Sequence, residues 1–550
     1  MSLKPQSYQV PEETKRVAKA IYPEGNRYMR WYDEFGLIFN DEDFRHLYPD
    51  DGQPALSPVR MCTVLILQFA ANLSDRQVTE AIKTRIDWKY LLCLELTDQG
   101  FHYSVLSEFR KRLLQDATLE MLFNKLLGRF IESELLKSRG TQRTDSTKVL
   151  ASIRTLNRIE LVGETLRAAL NSLAVVHPSW VQSHIDASWA ERYGERIDDF
   201  SYPQTEAEQA IYVEQLGADG LYVLEKICQV DSPTWLREIP SIQLLHRVWI
   251  QNFTGVADTP DRLRWRDKKE CPPGHLAIRS PHDPEARLSR KRQMTWVGYK
   301  VHLTEVCDSD QPHFITHVTT TPATLPDNKV TNDVHNSLAR KQLTPAVHLV
   351  DQAYIDADLL LSSTNDFDVD LCGPVRQDTS WQAREQNGFS SDDFVIDWER
   401  QVATCPAGET SLHWLPAKST GGKDIIQIKF SKKVCRVCDF QSQCTRSKPP
   451  RRSITVFAQA QHFARQLARE RMETDEFKAQ YAQRAGIEGA ISEAANAHGM
   501  RRNRYRGLSK THLQHIFTAM AINLKRATNW LMGVSVAQTR SSPFVQLYAH

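Results

Sequence analysis

Apolar residues recur at helical spacing along most of the chain and switch to strand-like alternation in a few short stretches. The first clear helix begins at Leu56-Ser57-Pro58-Val-Arg-Met-Cys and continues as Thr63-Val-Leu-Ile-Leu-Gln-Phe-Ala. Ser57 suits the cap position and Pro58 the first helical position. Ser74-Asp-Arg-Gln77 fits a capping box and predicts a second helix to Lys83. Trp88-Lys-Tyr-Leu-Leu follows, and Ser104-Val-Leu-Ser-Glu-Phe-Arg-Lys-Arg112 opens a third helix that the pattern extends towards Leu136. Short helices, tight turns and a basic third helix suit a helical DNA-binding domain over 51–138, and suit a plain helical bundle equally. Residues 1–50, polar, aromatic-rich and weakly periodic, read as an N-terminal arm.

β-type patterning starts at Gly140-Thr-Gln-Arg-Thr-Asp145-Ser-Thr-Lys-Val-Leu, a strand with a carboxylate inside it. Such a group needs solvent, a cation or a metal. Trp296 to Cys307 and His313 to Thr321 alternate as a hairpin. Pro326-Asp-Asn caps a helix to Arg340, Ala346-Val-His-Leu-Val-Asp351 is a strand ending on an acid, a helix spans Asp356 to Ser363, and Val369-Asp-Leu-Cys is a further strand. This order predicts an α/β fold with a mixed sheet flanked by helices. Asp145 falls on its first strand and Asp351 at the carboxyl end of a later one, where open α/β sheets hold ligands. The core is therefore split into 139–153 and 295–376, with a mainly helical insertion, 154–294, between them (Ile159 to Leu173, Gln204 to Val230, Ser241 to Phe253). Residues 377–457 break into polar loops and β-prone pieces bearing four cysteines. Helix resumes at Ala458, and a last helix runs from Lys510 to Met532 within 458–535. Residues 536–550 are a tail.

One stretch of that last region stands out. Tyr481, Arg484 and Glu488 are spaced i, i+3 and i+7, which at ~100° per residue puts them within about 60° of one another on one helical face. An Arg484–Glu488 ion pair is the simplest reading of the triplet. A basic run follows, Arg501-Arg-Asn-Arg504-Tyr-Arg506.

The net charge of +2 hides segregation. Lys423 to Arg471 carries twelve Lys/Arg against three acids, His498 to Arg526 seven against none, and Ile185 to Asp231 eleven acids against three bases. A basic C-terminal half facing a polyanion is expected. No apolar run approaches ~18 residues and the N-terminus lacks a signal-peptide core, so a cytoplasmic, nucleoid-associated protein is expected.

Asp145, Asp351 and Glu488 form the candidate catalytic set. Three carboxylates brought together repel one another, and Mg²⁺ or Mn²⁺ offsets that cost. Two such ions would stabilise the attacking and leaving oxygens of an in-line displacement at phosphorus. Cys405, Cys435, Cys438 and Cys444 include a Cys-x2-Cys pair and suit a structural Zn²⁺ site. Arg501, Arg502, Arg504 and Arg506, with Lys432, Lys433 and Arg436 beside the cysteines, are candidate phosphate contacts on double-stranded DNA. His302, His317 and His348 are assigned no role.

These motifs together resemble the bacterial insertion-sequence transposases of the DDE type. Gly52-Gln-Pro-Ala-Leu-Ser-Pro-Val-Arg, Leu73-Ser-Asp-Arg-Gln and Trp88-Lys-Tyr resemble their N-terminal domain. Thr144-Asp145-Ser-Thr resembles the first-acid strand, Gly298-Tyr-Lys-Val-His-Leu the strand after it, and Leu349-Val-Asp351-Gln-Ala-Tyr354 the second-acid strand. Tyr481-x2-Arg484-x3-Glu488 resembles the Tyr-Arg-Glu part of the third-acid signature. The resemblance implies an RNase-H-like core, metal-dependent cleavage and strand transfer of DNA, and a homodimer or larger assembly on two element ends. It also implies that Tyr481 and Arg484 position the DNA end or support Glu488. Two positions depart from the pattern. Ala495 stands where a Lys is usual, a contact that Arg501, Arg502 or Arg504 would take over, and Ala353 stands where a Gly usually precedes the Tyr. The rival readings are a nuclease on the same core that does not join strands, and a non-catalytic DNA-binding relic.

Overall fold

Thr141–Leu150 (β1) is rich in β-branched and polar residues and forms the middle of a six-stranded mixed sheet. The computed structural model describes residues 2–4, 6–198, 202–256, 259–385, 387–534, 544 and 547. The other strands of this sheet are Arg287–Lys291 (β2), Met294–Val306 (β3), Ile315–Pro322 (β4), Val347–Leu349 (β5) and Asp370–Cys372 (β6). β1 pairs antiparallel with β3 (Asp145 opposite Leu303) and parallel with β5 (Arg143 opposite Leu349), and β6 continues beyond β5. β2 and β4 share the far edge of β3, each pairing with one half of it. Helices pack on both faces. Thr331–Arg340 and Ala357–Phe367 lie on the His348 side, and Ile487–Asn496 and Leu508–Leu531 on the Val149 side. The fold is the expected mixed α/β architecture of RNase-H-like type.

Two of the helix starts form as their caps dictate. Ser57 Oγ accepts the Arg60 N–H (3.1 Å) with Pro58 in the first turn, and Ser74 and Gln77 close a capping box on Asp75–Thr84. The third helix stops at Leu113 and a new one spans Thr118–Glu132, because Asp116 takes a left-handed turn between them. Residues 1–50 are not an arm. Glu12–Ile21, Arg27–Phe35 and the 3₁₀ turn Asp41–Leu47 fold against the helices that follow, with Trp31, Phe35 and Phe44 buried. The basic third helix is also used internally. Arg110 is buried and holds Asp75 through two hydrogen bonds (3.0 and 2.5 Å), Arg112 donates to the Leu47 carbonyl, and Lys111 pairs with Glu108.

The insertion between β1 and β3 has its own core, built from Leu166, Leu216, Leu245 and Trp249 among others. Its helices are chiefly Arg158–Val176, Glu206–Cys228 and Pro240–Asn252. Gly217 leaves room for Phe253 and Gly220, one turn on, for Trp249, whose indole N–H donates to the Gly217 carbonyl (3.0 Å). The segment is not helical to its end. Phe253–Val256 and Thr259–Trp265 form a hairpin, and β2 already belongs to the central sheet. Between β6 and the C-terminal helices, two small antiparallel sheets enclose Phe394, Phe430 and Ile454, with Cys405 just past one strand, Cys435 and Cys444 in two short helical turns beside them and Cys438 between those turns. Most of the tail lies outside the described residues. Among the described residues no helix is long and apolar enough to cross a membrane.

Candidate active site

β1 carries Asp145 on the same face as Arg143, Thr147 and Val149, since side chains alternate along a strand. Asp145 is largely buried. Its Oδ1 accepts its neighbour Ser146's N–H (2.7 Å) and its Oδ2 accepts Arg484 Nη2 (2.6 Å). Asp351 directly follows β5, the parallel neighbour of β1, and its Oδ1 accepts the Ala353 N–H (2.8 Å). Burial raises the Asp145 carboxyl above its ordinary pKa and the Asp351 charge adds to this. Arg484, the Ser146 N–H and Lys291 pull the other way without cancelling it. Tyr481 stacks on Phe477 (centroids 5.5 Å apart), with its phenol raised by burial and, secondarily, by the nearby Asp351 and Asp145. Tyr354 is fully buried beneath the pair. Its hydroxyl shares a hydrogen bond with His302 Nδ1 (2.6 Å) and lies beside Ser146, so it ties β3 to the turn after Asp351 next to β1.

The third-acid region departs from the expected single helix. It is divided into Gln459–Met472, Asp475–Ala482, a 3₁₀ turn at Gln483–Gly486 and Ile487–Asn496. The cause is tertiary. Arg143 donates to the Gln483 carbonyl (2.6 Å) and to Glu305 (2.8 Å), and its guanidinium lies flat against Gly486, where a Cβ would stand 2.1 Å from Nη1. Tyr481, Arg484 and Glu488 therefore do not lie on one regular α-helix. The expected Arg484–Glu488 ion pair is replaced by Arg484–Asp145. Glu488 is exposed in the first turn of its helix, anchored through its buried neighbour Ile487. Among the described residues no three His, Cys, Asp or Glu side chains stand together so as to hold a metal ion. The structure thus brings Asp145, Asp351, Arg484 and Tyr481 together and leaves Glu488 outside a ligand cluster.

The basic run divides in the same way. Arg501 Nε donates to Thr147 Oγ1 (2.9 Å), two residues along β1 from Asp145, and Arg502 forms a bridge with Leu150. Both are exposed. Arg504 is structural rather than free for DNA. Its guanidinium lies over Phe69 (5.0 Å) and hydrogen-bonds the Leu73 carbonyl and Asn72, fastening this loop to the N-terminal helices. Arg506, Lys432, Lys433 and Arg436 are exposed.

Cys405, Cys435, Cys438 and Cys444 line one small pocket, and none is in a disulfide. Burial pushes the Cys444 thiol up to about 11. Arg452 offsets part of that, and the neighbouring Cys435, Cys405 and Cys438 add to it. The four stand around one space without closing to metal-ligand geometry.

Sequence patterning missed the polar spine behind the site. Arg143 and Arg526 both pair with buried Glu305 (2.7 Å each), and Arg526 and Lys525 pair with Glu493 (3.0 and 2.7 Å). Arg143 facing the same way as Asp145 on a predicted strand was the available signal.

A mixed sheet with one acid in its central strand, a second just past the adjacent parallel strand, and Tyr481 and Arg484 packed beside them is consistent with an RNase-H-like transposase. The comparisons with known proteins agree. Residues 404–528 match the family model of a transposase DDE domain, and residues 20–112 match that of a transposase domain (DUF772). The two matches, one at each end of the chain, support an insertion-sequence DDE transposase. The matched segments contain Tyr481, Arg484, Glu488 and the four cysteines, whereas Asp145 and Asp351 lie outside both. No curated protein and no solved structure matches the chain. A transposase domain implies a DNA-binding enzyme.

Proposed function

We propose that the protein cleaves DNA at insertion-sequence ends and joins the freed ends to target DNA, with Asp145, Asp351 and Glu488 as its acids. The observation that carries this reading is the convergence of Asp145, Asp351 and Arg484 from widely separated parts of the chain. Two carboxylates on adjacent strands are hard oxygen donors, suited to Mg²⁺ or Mn²⁺. Ions held by Asp145 and Asp351, with Glu488 having to move in to join them, would supply activation of water or a 3′-hydroxyl and stabilisation of the leaving oxygen. Arg484 neutralises and orients Asp145. Tyr354 holds the turn after Asp351 against β1. Tyr481 lies near both acids, where it would position a DNA end. Arg501, fixed on Thr147 beside Asp145, offers the phosphate contact that Ala495 cannot make.

In the same reading Cys405, Cys435, Cys438 and Cys444 hold a structural Zn²⁺. Four soft sulfur donors around one pocket suit that ion, and a cation would offset the mutual repulsion of their thiolates. The exposed Lys432, Lys433 and Arg436 would face DNA beside it, and the active assembly would be a dimer or larger on two ends.

The test supplies pre-cut end duplexes, target plasmid and Mg²⁺ to purified protein. Strand-joined product is expected, falling to background in Asp145→Asn, Asp351→Asn and Glu488→Gln. Cutting without joining would make the protein a nuclease, and unchanged activity in all three variants would refute the catalytic assignment. For the cysteines, metal analysis should find zinc, and Cys435→Ser with Cys438→Ser should lower both zinc content and Tm.

A further inference from the structure

A cavity of about 510 Å³ lies where the end of β1 meets the insertion. Ala151 to Arg154 form one wall, Arg167 and Arg196 of the insertion another, and His282 and Arg506 the rest. Four guanidiniums and an imidazole thus surround a single carboxylate, Glu164. Two of the arginines are committed. Arg154 pairs with Glu160 (2.9 Å) and donates to the Ile197 carbonyl, and Arg167 pairs with Glu164 (3.0 Å). Glu164 also accepts the Ile197 N–H (2.7 Å) and stands 3.5 Å from His282. Burial alone would raise its pKa, but His282, Arg167 and the Ile197 N–H bring it down to about 2, so it stays charged and keeps Arg167 occupied. Arg196 and Arg506 are exposed, line the same cavity and have no ion-pair partner among the described residues. Two guanidiniums without an ion-pair partner among the described residues, converging from separate segments on a polar hollow, suit one kind of ligand, an anion with several acceptor oxygens.

The cavity continues a line that starts at Asp145. Along β1, Arg501 sits on Thr147 and Arg502 bridges Leu150, after which Ala151 to Arg154 enter the cavity wall beside Arg506. At ~3.3 Å per strand residue, the cavity mouth stands about 20 Å from Asp145. That corresponds to about six base pairs along a duplex axis.

We propose that this cavity binds backbone phosphate of double-stranded DNA about six base pairs from the reacting phosphate, with Arg196 and Arg506 as its ligands, so that the insertion acts as a DNA clamp. The proposal rests on the transposase reading above and assigns the insertion a role within it.

The test uses the full-length chain and a fluorescein-labelled random-sequence duplex, titrated by anisotropy across a salt series. The Arg196→Ala/Arg506→Ala double variant is expected to bind at least about tenfold more weakly at 0.1 M salt. Its log K against log salt should be shallower by about two, roughly one per lost phosphate contact. The Arg196→Lys/Arg506→Lys variant should recover most of the slope, and both should keep the parental Tm because the side chains are exposed. An unchanged affinity and slope in the Ala variant overturns the proposal, including the case where only its response to free inorganic phosphate is lost. Asp145→Asn separates this from failure of the catalytic reading, since it should abolish strand joining while leaving the salt slope intact. If Asp145→Asn still joins strands, the catalytic reading fails, whatever the slope shows.

Discussion

The N-terminal helices and the insertion are both additions to the same sheet, and they are attached in opposite ways. The N-terminal helices share one continuous apolar core with the sheet. Phe69 stacks on Phe517 of the C-terminal helix (6.3 Å), and Leu65, Phe130, Leu303 and Ile487 belong to the same cluster. The insertion keeps a core of its own and meets the sheet across a seam of arginines, Glu164 and a cavity. An apolar weld transmits unfolding, because removing either side exposes the other to water. A polar seam holds position while leaving room for a charged ligand. The N-terminal helices are therefore expected to behave as part of the catalytic body, and the insertion as a separate cooperative unit.

Phe517→Ala should have the largest effect, about 3–5 kcal/mol for a buried Phe. Hydrogen exchange should show protection falling in residues 58–70 and in β1 together, whereas protection kept in 58–70 would break the weld. Gly220→Val comes next. A Cβ there would stand 1.9 Å from the Trp249 ring, and overpacking of this kind costs about 1–3 kcal/mol or more. Protection should be lost over 206–252 and retained in β1, and a loss in both would contradict the separateness of the insertion.

Acid should find the same division. His302 and His515 are buried in the welded body, with pKa values lowered by burial to about 3, whereas no histidine of the insertion is fully buried. In the unfolded chain such residues titrate near 6.5. The unfolded state then binds protons that the fold refuses, so their contribution is intact above pH ~6.5 and is lost as pH falls towards 3. Tm should decline below pH ~6.5, with protection lost first in β3, β4 and the C-terminal helix. A flat Tm between pH 7 and 5 would contradict this. The smallest effect is expected for Arg504→Ala, about 1–2 kcal/mol from its lost hydrogen bonds to Asn72 and Leu73, with the DNA salt slope unchanged. Arg501→Ala should do the reverse, leaving Tm alone and lowering the slope by about one.

Local chemistry was legible where it is self-contained. Ser57 with Pro58, Ser74 with Gln77, and the strands bearing Asp145 and Asp351 could each be read from a few neighbouring residues. What could not be read depended on partners distant in sequence. The helix through Tyr481 and Glu488 is interrupted because Arg143 presses on Gly486. Arg484 chose Asp145 over a carboxylate four residues away because the 3₁₀ turn redirects it. Within residues 1–50, Glu12–Ile21 and Arg27–Phe35 are amphipathic but short, and the polar, aromatic-rich stretches around them hide that periodicity. β2 is short, basic and half-exposed, and only its pairing with β3 makes it a strand. In the candidate site, Arg484 pairs with Asp145 where the sequence pattern expected Glu488.

The central claim is that Asp145 and Asp351 form a divalent-metal centre beneath the Tyr481–Glu488 segment. Fe²⁺-directed oxidative cleavage of the purified protein tests it most directly, because iron bound in place of Mg²⁺ cuts the backbone next to its ligands. Cuts near residues 145, 351 and 484–488 are expected, competed away by Mg²⁺ and lost in Asp145→Asn. Cuts confined to other segments, or an unchanged pattern in Asp145→Asn, would contradict the account.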